Sequence, residues 1–180
     1  MLLITIPATE LYDDSSGEFK YMKEQTLQLE HSLVSLSKWE SKWHKPFYSK
    51  EDKTHEETLD YIRCMTITQN VKPEVYRCLT QDNFQQIHEY IENPMTATTF
   101  PVQEKRTING EQITAELIYY WMVSLQIPVE FQKWHLNRLI TLIRVCSIKN
   151  QPPKKRSKQE LASSYAKLNA ARRQKYNSKG

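Results

Sequence analysis

At 180 residues the chain has room for one well-buried core and an appendage, not for a second full domain. Its 25 Lys and Arg against 21 Asp and Glu leave a net +4, but nine of the cations and one acid, Glu160, lie from Pro152 onward, so that stretch carries +8 and the preceding body −4. Three glycines (Gly17, Gly110, Gly180) exclude a P-loop and a dinucleotide fingerprint, and no apolar run approaches the ~18 residues that a membrane-spanning helix needs.

The β-branched run Leu2–Ile6, closed by Pro7, predicts a first strand. YDDSSGEF supplies turn chemistry, and EFKYM and TLQLE predict two further short strands, giving a small antiparallel N-terminal sheet. The period changes at His31. Leu33, Leu36, Trp39 and Trp43 fall on one helical stripe, with Ser32 as N-cap and Pro46 beyond the end. In THEETLDYIRCM, Thr54 and Glu57 form a capping box, with Leu59, Ile62 and Met65 inward. A third helix is predicted from Pro73, carrying Val75, Tyr76 and Leu79. Thr80 caps a fourth, with Phe84, Ile87 and Ile91 inward.

FPVQEKRTINGEQIT predicts a mid-chain β-hairpin, because Asn109-Gly110 suits a type I′ turn. Thr114 caps the helix AELIYYWMVSLQ, and Pro128 opens a last, long helix of about five to six turns that runs to Asn150. Its polar stripe is narrow, which predicts a central position. The prolines of NQPPKK then end the compact body near residue 150. Residues 151–180 form a basic tail, flexible or partly helical, with a thin Leu161, Tyr165 and Leu168 stripe. The predicted class is α+β, mostly α, with about five to six helices.

Candidate chemistry is sparse. Cys64, Cys78 and Cys146 lie far apart, which suits small core thiols in a reducing compartment. His31, His44, His55, His88 and His135 lack metal-ligand spacing, so no metal or cofactor is expected. In WHLNRL, His135 and Asn137 stand two apart on a predicted helix and point away from each other, leaving His135 a helix-surface residue beside a packed Trp134. Ser35 and Ser37 read as helix-face residues, and Glu56, Glu57 and Asp60 as a solvated acidic face. No catalytic residue is assigned.

Two features point to partners instead. Tyr119, Tyr120, Trp121 and Trp134 gather at one helix junction, which fits either a core or a partner surface. Lys154, Lys155, Arg156, Lys158, Arg172, Arg173 and Lys175 give the tail contacts for nucleic acid or for an acidic protein, and its alanines and Leu/Tyr stripe suit the protein. The body itself, at −4, is not expected to bind nucleic acid.

The segments LEHSLVSLSKWESKWHKPF, EETLDYIRCMTIT, NPMTATTF, ELIYYWMVSLQIP and QKWHLNRLITLIRVC, with the closing PPKK…LNAARR, resemble the tail assembly chaperone-like proteins of tailed bacteriophages over most of the chain. The resemblance implies a non-enzymatic, mainly helical protein acting in the host bacterial cytoplasm. It would bind the tape measure protein and tail tube subunits during virion assembly, with a homo-oligomer as a further partner. It carries over no catalytic residue. A permanent tail or neck component of the virion, and a nucleic-acid-binding protein acting through the tail, stay open beside it.

Overall fold

The computed structural model describes residues 1–13, 17–49, 51–100, 112–151 and 158–176. The chain is α+β and divides into two compact units, Met1–Ile148 and Lys149–Gly180. The hairpin expected at Asn109-Gly110 lies outside the described residues.

The N-terminus is an antiparallel β-ribbon in two sections. Strand β1 (Leu2–Ile6) pairs with β4 (Gln25–Leu29), placing Ile4 opposite Leu27 and Leu2 opposite Leu29. Ile4, Ile6, Leu27 and Leu29 are buried while Leu3, Thr5, Thr26 and Gln28 face out, the period-2 alternation of a sheet with one face on a core. Pro7, which has no N–H to give a ladder, follows β1. Beyond it β2 (Thr9–Asp13) pairs with β3 (Glu18–Met22). Gly17 precedes β3 at φ +68°, a left-handed conformation that strains any residue with a Cβ. The ribbon thus contains β2, a strand not expected between Pro7 and the turn.

Helix α1 (Leu33–Trp43) begins at Ser32, whose hydroxyl accepts from the Ser35 N–H while the Ser35 hydroxyl accepts from the Ser32 N–H. It ends at His44 in the left-handed region, φ 53°. Helix α2 (His55–Met65) has the expected Thr54–Glu57 capping box. Its buried face is Tyr61, Ile62 and Met65, with Leu59 only half-buried. The segment from Pro73 is a short 3₁₀-helix (Pro73–Cys78) rather than an α-helix, since Leu79 is extended and Thr80 already caps α3 (Gln81–Glu92). The Asn83 amide of α3 donates to the Thr5 carbonyl of β1 at 3.2 Å, so the helix lies on the ribbon's inner section.

Thr114 caps α4 (Ala115–Ser124), whose inward residues are Ala115, Ile118 and Met122. The long helix expected from Pro128 is broken. It is a 3₁₀-helix (Val129–Lys133), an extended step at Trp134 and His135, and then α5 (Leu136–Lys149). The break has a tertiary cause. His135 forms an antiparallel bridge with Ser32, and the Leu136 N–H donates to the His31 carbonyl at 2.7 Å, so this backbone serves another segment instead of its own helix. Nor is α5 central, since it buries only Leu136, Leu139 and Ile143. That place belongs to α1, which packs against α2, α4 and the Val129–Lys133 turn. In the second unit, α6 (Lys158–Tyr176) is a 19-residue helix.

Trp39 of α1 is fully buried, and its Nε1 donates to the Glu57 carbonyl at 2.9 Å. Phe47 and Tyr61 pack edge-on around its ring. One residue on, the buried Glu40 carboxylate accepts from the Phe47 N–H at 2.8 Å and the Ala115 N–H at 2.7 Å. Removing it strands two interior backbone donors. Glu40→Ala should therefore lower the unfolding free energy by about 3 kcal/mol in urea titrations, whereas Gln86→Ala on the exposed side of α3 should stay within about 0.5 kcal/mol.

Candidate interaction surfaces

The interior polar groups are engaged in holding the fold. His31 Nδ1 lies 2.5 Å from the Tyr61 hydroxyl, and its ring meets the His135 ring edge-on at 5.2 Å. His135 is buried at 6 % exposure, not on a helix surface, and its Nε2 is 3.0 Å from the Tyr90 carbonyl oxygen. Trp134, its neighbour, is the more exposed of the two. Asn137 donates to the Ile91 and Asn93 carbonyls, so His135 and Asn137 converge after all, on the C-terminal end of α3. Spacing within WHLNRL failed here because His135 precedes the helix and Asn137 lies in its first turn.

The expected acidic face is also partly interior. Glu57 and Asp60 are buried and only Glu56 is exposed. Lys45 Nζ lies 2.7 Å from Glu57 Oε1, and Lys42 Nζ and Trp43 Nε1 lie 2.5 and 3.0 Å from the two Asp60 oxygens. The Lys45 ammonium and the Thr54 N–H hold the Glu57 carboxyl below its ordinary value. Burial raises that of Glu40, against the two backbone N–H groups that favour its charged form. Ser35, buried, completes its capping box. Apart from His135 Nδ1, which is buried without a hydrogen-bond partner, these groups are paired within the fold, and no cluster of three metal-ligating side chains occurs among the described residues.

The four aromatics singled out from the sequence separate by role. Tyr119 is half-buried and its hydroxyl donates to Gln132 Oε1 at 2.9 Å, tying α4 to the 3₁₀-helix that follows. Trp121 is half-buried against the core. Trp134 stacks on Phe131 with centroids 4.0 Å apart, and the Arg138 guanidinium stands 4.2 Å from its ring centroid. Tyr120 alone is open, 64 % exposed, with exposed Val123 one turn further along α4.

A second aromatic surface escaped sequence reading. In the outer section of the ribbon Tyr12 pairs with Phe19, and Glu10 with Tyr21. Cross-strand partners share a face, and so do residues two apart, so Tyr12, Phe19 and Tyr21 form one strip with Glu10 at its corner. The Tyr12 and Phe19 rings meet edge-to-face at 5.2 Å. All three stay open to solvent, at 47 %, 70 % and 65 %. Leu11 and Met22, on the opposite face, are half-buried. The available signal was alternation in LYD and FKYM.

Of the basic residues, Arg172, Arg173 and Lys175 are exposed on α6, as are Tyr165, Leu168 and Tyr176. Lys154, Lys155 and Arg156 lie outside the described residues, and of Lys158 only the backbone is described. Comparison with known protein families, curated proteins and solved structures returns no significant match.

Burial, with His135 alongside, lowers the His31 pKa to about 3, and burial also lowers that of His135. Below the ordinary value of about 6.5 the unfolded chain binds protons that the native chain refuses, so stability is complete above that pH and falls below it. Each histidine contributes up to about 1.4 kcal/mol per pH unit, while Glu40, raised above its ordinary value, works in the opposite sense. Urea midpoints should drop steadily from pH 6.5 to 5, and His31→Asn, which does not titrate, should flatten that slope.

Proposed function

We propose that this chain is a non-enzymatic assembly chaperone of a tailed bacteriophage, one that holds the tape measure protein and tail tube subunits before they enter the virion. The observation that carries the reading is the strip of Tyr12, Phe19 and Tyr21, large side chains kept in water on one face of a two-stranded ribbon. Aromatic residues exposed together in this way mark contact surfaces, since each offers much contact area for little conformational entropy. The resemblance of the helical segments to tail assembly chaperone-like proteins supplies the biological setting.

A holdase needs apolar contact area on a body that stays soluble. Tyr120 and Val123 add to that area, and Glu10 at the corner of the strip and the charged residues of α2 and α3 supply polar surface. Apolar contacts of this kind are non-directional, which suits a client with many similar hydrophobic segments. They also leave the complex reversible, as a factor absent from the finished tail requires.

Co-expression with the tape measure protein should raise that protein's soluble yield several-fold and give a complex on pull-down. Replacing Tyr12, Phe19 and Tyr21 together by Ser should abolish the gain while leaving the melting temperature of the body within a few degrees. Failure of the unaltered chain to form any complex or improve solubility would sink the proposal. So would full activity of the triple variant.

A further inference from the structure

Helix α6 is a rod whose C-terminal half carries cations on every side. At 19 residues it is about 28 Å long at 1.5 Å per residue. Successive residues turn by about 100°, which places Arg172, Arg173, Lys167 and Lys175 roughly 60–120° apart around the axis. No quarter of its circumference is far from a positive charge, and all four side chains are exposed. The one apolar line, Leu161, Tyr165 and Leu168 in sequence, runs into Arg172 one turn later and resumes only at Tyr176, so it is interrupted by charge. Ala162, Ala166, Ala170 and Ala171 keep the remaining surface slim.

That distribution discriminates between surfaces. A flat membrane or a protein groove receives a helix along one face and asks for a continuous apolar stripe there. Cations on the far side would gain nothing from either. The major groove of duplex DNA, about 12 Å wide, admits an α-helix and sets phosphates along both of its walls. There, charges on both flanks of one helix meet phosphates, where a flat surface meets one face only.

We infer that α6 is a binding element for the phosphate backbone of double-stranded DNA, seated in the major groove with Lys167, Arg172, Arg173 and Lys175 on the flanking phosphates. Contacts of this type are independent of base sequence. The inference does not rest on the chaperone reading and stands or falls separately from it.

Fluorescence anisotropy of the full chain against a labelled 24-bp DNA duplex, between 50 and 300 mM KCl, tests it. Four phosphate contacts predict a slope of log K against log salt of about −3.6 or steeper. Substituting Arg172, Arg173 and Lys175 together by Ala should make that slope shallower by about 2.7 and weaken binding more than tenfold at low salt. Alanine favours the helix and α6 lies outside the core of the body, so fold is preserved. Arg172→Lys with Arg173→Lys, which keeps the charge, should retain binding. No binding at 50 mM KCl, or a slope unchanged in the triple alanine variant, would overturn the inference. Equal or tighter binding to single-stranded DNA, duplex RNA or polyglutamate would do so as well, the last placing an acidic protein on α6 instead.

Discussion

The body is organised around a carboxylate placed where a carboxylate is expensive. Glu40 sits near the end of α1, beside the fully buried Trp39, and accepts one backbone N–H from each of two segments: Phe47, just beyond the helix, and Ala115, at the start of α4. Burying a charge without partners costs many kcal/mol, and two aligned N–H donors are what make this position tolerable. The same bonds satisfy donors that would otherwise be orphaned, one of them at a helix start. One side chain thereby fixes how α1, the chain after it and α4 meet. Around it, Lys45 with Glu57 and Lys42 and Trp43 with Asp60 extend the polar joint from α1 to α2.

This arrangement shapes what the protein can do. Glu40, Glu57, Asp60 and His31, and His135 through its Nε2, each join segments, and burial favours the neutral form of both histidines, so these polar groups act as fasteners. Contact capacity lies at the surface and is of two kinds. The aromatic strip of the ribbon works through apolar contact, which salt does not screen. The α6 cations work through long-range charge, which salt weakens steeply. Two such surfaces on one chain respond differently to the same change in ionic strength.

Much of the local architecture was legible in the sequence because its causes are local. Ser32, Thr54, Thr80 and Thr114 each cap the helix that follows, and in three cases the partner three residues on completes the box. The alternation of Leu2–Ile6 and of Gln25–Leu29 marks strands with one buried face. What escaped depends on residues far away in the chain. The break at Trp134 and His135 exists because Ser32 and His31 claim that backbone, and nothing in FQKWHLNRL reveals it. Glu57 and Asp60 look like solvent-facing acids until Lys42, Trp43 and Lys45 of another segment cover them. The aromatic strip was missed for a related reason. Tyr12, Phe19 and Tyr21 join one face only through the β2–β3 register, and β2 itself was hidden among turn-forming residues. Tyr120, by contrast, stood out as an aromatic at a helix junction and is exposed.

The most direct measurement is hydrogen–deuterium exchange of the full chain with and without the proposed client, a tape measure protein. The proposed surface-binding role predicts new protection confined to Thr9–Asp13, Glu18–Met22 and the Tyr120 turn of α4, with the amides of α1 and α2 around Glu40 unchanged. Protection that appears instead in that interior, with the ribbon exchanging as before, would contradict the assignment of function to the surface.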